Sequence, residues 1–230
     1  SPYTAMYAKD YPTENKYYLI QDYENWGAVT DEKLIETYHY PLRKIVISTW
    51  LEKFMQKQGC DCTFIRNGFD FDYFKKSKEI ESRNKYTITM LYRPAEVKGC
   101  KYGFAALDIV KKEYPQLKVN IFGIEPRPDY LPQWYSYYQS PDKEIHNRIY
   151  NKAAIFIGCS SVEGWGLPIG EAMICGAAVA CKQPVFAGFQ HESVLGTGNA
   201  AVIEGRTGIV GYFQSQCFFF AGCQQGCLPE

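Results

Sequence analysis

Short apolar runs alternate along this chain with segments whose apolar residues recur every three or four positions, the mark of strands interleaved with helices. Lys16-Tyr-Tyr-Leu-Ile-Gln21 predicts a strand that ends at polar Asp22-Tyr-Glu24. Asp31 stands where a helix cap belongs, and Glu32, Leu34, Ile35 and Tyr38 are spaced for one covered face of a helix reaching about Tyr40. The β-branched run Lys44-Ile-Val-Ile-Ser48 predicts a second strand, and a helix follows over 50–57. Thr63-Phe-Ile-Arg-Asn67-Gly68 predicts a strand running into a turn. Residues 75–85 (Lys-Lys-Ser-Lys-Glu-Ile-Glu-Ser-Arg-Asn-Lys) are so rich in charge that they read as a linker.

A second series begins after it. Thr87-Ile-Thr-Met-Leu91 predicts a strand, and a helix over 102–114 has an apolar stripe of Phe104, Leu107, Ile109 and Val110. Further strands are predicted over 117–122, closed by Gly123, and over 133–138, followed by a helix over 143–152 and a buried strand within 151–161. Strands alternating with helices imply a parallel, doubly wound sheet, and such sheets bind ligands at the carboxyl ends of their strands. There is no internal repeat and no low-complexity tract.

The most informative chemistry stands at one such end. Residues 163–171 read Glu-Gly-Trp-Gly-Leu-Pro-Ile-Gly-Glu. Gly164 and Gly166 free the backbone to approach a ligand, and Pro168 suits the first turn of a helix. The helix start offers unpaired N–H groups and a positive dipole end to an anion. Glu163 before the turn and Glu171 inside the helix put two acceptors at one mouth, suited to the hydroxyls of a sugar. Arg93 and Lys98, within Arg93-Pro-Ala-Glu-Val-Lys98-Gly99, follow strand 87–91 directly. A planar fork and a point charge at a strand end suit a diphosphate.

Composition narrows the partners. Basic and acidic residues balance at 25 each, which argues against a nucleic-acid binder. No apolar run approaches the ~18 residues of a membrane span, and the N-terminus lacks a signal-peptide pattern. Cys159, Cys175 and Cys181 lie inside apolar stretches and read as free thiols of a reducing compartment. The expected location is cytoplasmic, with which peripheral contact at the inner face of a membrane is compatible. No metal site is predicted: Cys60 and Cys62 are too close for a typical pair, and Cys217, Cys223 and Cys227 lack a fourth ligand. His39, His146 and His191 lie outside the motifs, so none is assigned as a base.

Tyr150-Asn-Lys-Ala, then Ser160-Ser161-Val-Glu163-Gly-Trp-Gly-Leu-Pro-Ile-Gly-Glu171-Ala-Met, then Gly176, resemble the donor-site signature of glycosyltransferase family 4. The family's Glu-x7-Glu pattern matches at Glu163 and Glu171, and the resemblance runs from about Tyr17 to Cys181. It implies an α/β, GT-B-like fold: a Rossmann-type parallel-sheet nucleotide-sugar domain preceded by a partial first Rossmann-like domain. Phe64-Ile-Arg-Asn67-Gly68-Phe-Asp70 resembles the hinge between the two. Residues 1–74 are expected to be part of the N-terminal, acceptor-side domain, since a complete domain holds ~100–150 residues. Residues 75–230 are then the C-terminal nucleotide-sugar-binding domain. Within it 183–230 is atypical: Ala187-Gly188-Phe189-Gln190-His191-Glu192 matches a family Gly-Gly turn only imperfectly, Glu204-Gly-Arg-Thr207-Gly208 fits a later element, and 211–230 lacks the closing helix pattern.

By the same resemblance, the intact enzyme transfers a sugar from a nucleotide diphosphate sugar to a glycan acceptor with retention, without cofactor or metal. Arg93, Lys98 and Gly99 would grip the diphosphate, Glu163 the donor sugar hydroxyls and Glu171 the ribose hydroxyls. Catalysis falls to Glu163, Arg93 and Lys98, while Gly164, Trp165, Gly166 and Leu167 join the substrate-binding set. Tyr18-Leu-Ile-Gln21-Asp22-Tyr23-Glu24 is similar to a stretch of bacterial polysaccharide rhamnosyltransferases; an acidic strand-to-loop turn reads equally well. The chain alone is expected to be inactive and to self-associate through the edge of strand 17–21. The alternative is a non-catalytic nucleotide-sugar-binding fragment or interaction module.

Overall fold

Two parallel sheets follow one another along the chain, each wrapped by its own helices. The computed structural model describes residues 1–25, 29–161 and 163–181, with the backbone of 202–204. The glycine turn expected at 187–192, His191, most of the element at 204–208 and the three C-terminal cysteines lie outside the described residues.

The first sheet has the order β1 (Tyr17–Ile20), β2 (Arg43–Val46), β3 (Thr63–Phe64). Between its strands run α2 (Asp31–Tyr38) and α3 (Thr49–Lys57), and α1 (Pro2–Ala8) packs on α2. Tyr18, Ile20, Leu34, Tyr38, Val46, Leu51 and Met55 form its core. The α2 cap is Thr30, whose hydroxyl accepts from Lys33 N at 3.3 Å, rather than Asp31. The covered face is Leu34, Thr37 and Tyr38, one helical turn apart. Glu32 lies outside that face, exposed to solvent. Helix α1 was not foreseen from the apolar pattern: it buries only Pro2 and Ala5 and turns Tyr3 and Tyr7 outward.

The second sheet has the order β6 (Tyr135–Gln139), β5 (Lys118–Gly123), β4 (Thr87–Leu91), β7 (Ile155–Gly158), β8 (Ala178–Cys181), β9 (Val202–Glu204), all parallel. β4 is central, and its apolar side chains enter two cores. Ile88 and Met90 meet α4 (Cys100–Glu113), while Leu91 meets α5 (Lys143–Lys152) and α6 (Leu167–Ile174) on the opposite face. A strand covered on both sides reads as a continuous apolar run, which is why β4 was legible. Helix α4 begins at Cys100, earlier than its stripe suggested, because Gly99 turns the chain at φ 62°. Its buried face is Cys100, Gly103, Phe104 and Leu107; Ile109, expected inside, is 61% exposed.

The expected linker is instead strapped down. Arg83 is buried, and its guanidinium donates to the main-chain carbonyls of Lys78 and Ala153, both at 2.9 Å, and of Cys175. Asn151 accepts from Ser77 N at 2.7 Å and donates to Lys75 O at 2.9 Å. Carbonyls left over at the ends of α5 and α6 satisfy the charge, so a charge-rich stretch becomes part of the fold. The two sheets also interlock. Trp165, from the loop after β7, is buried in the core of the first sheet, and Trp50 Nε1 donates to Gly164 O at 3.3 Å.

Candidate functional site

In the second sheet the chain runs from β4 outward through β5 to β6, then returns to start β7 on the other side of β4. The strand order reverses between β4 and β7, and at such a switch point the two following loops splay apart and leave a crevice. Those loops carry Arg93 and Lys98 after β4, and Glu163 after β7.

Local sequence fixes each loop. Residues Glu96–Lys98 make one 3₁₀ turn, and Gly99 closes it in the left-handed region. A Cβ at Gly99 would press into the Cys159 carbonyl, so glycine lets the Lys98 turn lie against the end of β7. Val97 O accepts from both Ser161 N at 2.9 Å and Ser161 Oγ at 3.0 Å, tying the loops together. Gly166, at φ 79°, precedes α6 and turns the chain into the helix with Pro168 in its first turn.

Between the loops Lys98 Nζ donates to Glu163 Oε1 at 2.8 Å. Both side chains are part exposed, at 28% and 21%, so the pair is worth roughly 1 kcal/mol or less and can be exchanged for other partners at little cost. Arg93 reaches the same narrow pocket, which is also lined by Ser160, Gly166 and Pro168. Its guanidinium has no hydrogen-bond or ion-pair partner among the described residues. On its other side Arg93 borders a second cavity of about 200 Å³, with Tyr92, Lys101 and Tyr130 in its walls. Tyr130 is largely exposed and is held by its hydroxyl donating to Tyr92 Oη at 3.2 Å.

Arg93, Lys98, Glu163 and Gly166 therefore come together around one pocket. The remaining expected residues are placed differently. Trp165 is 6% exposed and is an anchor in the first core, where a ring flanked by two glycines can reach. Gly164 lies against the Gln21 carbonyl, with no room for a Cβ. Leu167 opens α6 and is 38% exposed. Glu171 sits one turn into α6, where its Oε2 accepts from Tyr150 Oη at 2.9 Å. Burial pushes the Glu171 carboxyl above its usual range, and the Tyr150 hydrogen bond pulls it back.

Two residues outside the expected set join the site. Asp22 follows β1 and is half-buried; burial pushes its carboxyl up, the Tyr23 N–H and the Lys98 charge pull it down, and Glu163 pushes it up again. Its position at the carboxyl end of a parallel strand was the signal that could have found it. Tyr150 opens the signature quoted above, but its bond to Glu171 had no signal in the sequence, because it depends on how α5 packs on α6. Among the described residues no three His, Cys, Asp or Glu side chains are grouped to hold a metal ion.

Comparison with curated proteins finds no match. Among solved structures, sucrose-phosphate synthase from Thermosynechococcus elongatus is 16% identical, with a TM-score of 0.61, covering 79% of this chain and 53% of that one. TarM is 19% identical, with a TM-score of 0.66, covering 89% of this chain and 43% of that one. The pneumococcal O-GlcNAc transferase GtfA, solved with UDP and GlcNAc, is 15% identical, with a TM-score of 0.56, covering 74% of this chain and 37% of that one. The chain thus spans about half or less of each of these structures. They share its fold, the GT-B arrangement of parallel α/β sheets. Residues 72–188, just over half of the chain, match the model described as glycosyl transferases group 1, and the chain belongs to that family.

Proposed function

We propose that this chain carries the donor-binding site of a retaining, family 4-type glycosyltransferase that moves a sugar from a nucleotide diphosphate sugar to a glycan acceptor in polysaccharide synthesis. The observation that carries the reading is the placement of Lys98 and Glu163, 2.8 Å apart at the switch point, with Arg93, whose guanidinium has no partner among the described residues, in the same pocket. A phosphate would take Lys98 from Glu163, and the released carboxylate would accept hydroxyls of the attached sugar.

The chemistry asked of these residues is electrostatic. As the bond from the sugar's anomeric carbon to the diphosphate breaks, negative charge collects on the departing phosphate. Once the bound phosphate has drawn Lys98 from Glu163, Arg93, Lys98 and the N-terminus of α6 stand around it before the bond breaks, so little reorganisation is asked of them during the step. Glu163 would orient the sugar, Glu171 would hold the ribose, and neither a metal nor a cofactor enters this reading. Asp22, at the end of the first sheet's β1, lies within electrostatic reach of Lys98 and Glu163 and suits hydroxyls presented across the cleft. Support for rhamnose as the sugar comes from residues 18–24 alone. No helix among the described residues is long and apolar enough to cross a membrane.

Thermal-shift screening against dTDP-, UDP- and GDP-sugars, followed by calorimetry, tests the reading. Arg93→Ala and Lys98→Ala should each weaken the preferred nucleoside diphosphate by about 1.5–3 kcal/mol, the worth of a charge-assisted hydrogen bond. Unchanged affinity for dTDP, UDP and GDP in both variants would overturn it.

A further inference from the structure

The fully buried Tyr150 does not itself line the pocket, yet it bonds to Glu171. Its ring is packed against Phe74, Phe122, His146 and Phe156, with centroids between 4.7 and 5.7 Å away. A ring held by four others cannot swing, so its hydroxyl is a fixed donor. Glu171, by contrast, is a flexible side chain one turn, or about 5 Å, behind the start of α6. Its Oε2 accepts from that donor at 2.9 Å; among the described residues Oε1 has no hydrogen-bond partner.

We infer that Tyr150 is a positioning residue: it clamps one oxygen of Glu171 so that the other is presented to the ribose hydroxyls of a nucleoside diphosphate. The inference rests on the proposed ribose role of Glu171. A rigid donor on α5 suits this task because a buried carboxylate without a donor would turn toward water or take up a proton. The hydroxyl therefore acts on both the direction and the charge of the carboxylate. Titratable groups facing the pair are His146 on α5, Cys175 at the end of α6 and Tyr73, which precedes the strapped segment. Burial pushes Cys175 up and His146 down, leaving both neutral near pH 7.

Calorimetry with UDP and GDP, each beside its 2′,3′-dideoxy form, tests the inference. Tyr150→Phe, which keeps the ring, should weaken the ribose forms about fivefold to tenfold and leave the dideoxy forms nearly unchanged. Loss of the donor should also move the low-pH midpoint of ribonucleotide binding upward. In a Glu171→Gln background the same substitution should add little, since its route of action is already gone. Equal weakening of ribose and dideoxy forms would mean that Tyr150 serves packing alone, and no change would mean that it serves neither; each overturns the inference. Should Glu171→Gln itself fail to distinguish ribose from dideoxyribose, the ribose role of Glu171 falls and the inference with it, whereas the Arg93 and Lys98 measurements stand apart.

Discussion

Glu163 and Glu171 are the same residue type on adjoining segments, and the proposed division of labour between them rests on their different surroundings. Glu163 is part exposed and paired with a cation, whereas Glu171 is sunk beside a phenol. Glu171→Gln should therefore weaken free nucleoside diphosphate by roughly 1–3 kcal/mol, the loss of a charged acceptor. Glu163→Gln should leave free nucleotide nearly untouched and weaken the intact nucleotide sugar by a similar amount. Titrating both variants with the nucleotide and the nucleotide sugar checks this; equal effects on the two ligands would remove the division of labour. That Arg93, Lys98 and Glu163 would meet was legible in the sequence, because each follows a strand whose end is predictable. The sequence did not reveal that Trp165 points away from the mouth. That depends on an apolar hollow built from residues more than a hundred positions earlier.

Among the elements, α5 combines the most constraints. It carries His146, and one turn later the adjacent Tyr150 and Asn151, toward an aromatic core, a carboxylate and the strapped segment. Burial lowers the His146 pKa to about 4, and its Nε2 has no hydrogen-bond partner among the described residues. The unfolded chain binds a proton near pH 6.5 that the folded chain refuses until about pH 4, so this residue withdraws stability as pH falls between those values. Glu171 and Asp22, whose carboxyls are raised chiefly by burial, act in the opposite direction, adding stability as pH falls. The separable quantity is the difference between wild type and His146→Phe. Melting at pH 7 and pH 4.5 should show the variant losing less on acidification, on the order of 1–2 kcal/mol after allowing for part exposure; parallel losses would contradict it. Elements such as β4, β7 and α5 were legible because each has a single apolar period. The segment 75–85 was misread as a linker because the carbonyls that accept Arg83 lie on helices far along the chain.

At the scale of the whole molecule, the parallel α/β plan followed from the alternation of strands and helices. The manner in which the sheets join did not, since it rests on Trp165, Trp50 and the close approach of Gly164 to Gln21. Trp165→Ala should cost about 3–5 kcal/mol, as removal of a buried indole does. It should also weaken nucleotide-sugar binding, because Glu163 stands two residues away. Thermal melting with calorimetry at a temperature where the variant is folded would test both, and full retention of nucleotide-sugar affinity would show that the anchor does not set the site. The anchor has a consequence for engineering. A chimera that grafts residues 72–181 onto a first domain from another member of the family must import a cavity shaped for this indole and a strand end bare enough for Gly164. Without them the transplant would keep Arg93 and Lys98 and lose the register of Glu163, so on the proposed reading donor preference would not travel with the sheet that carries it.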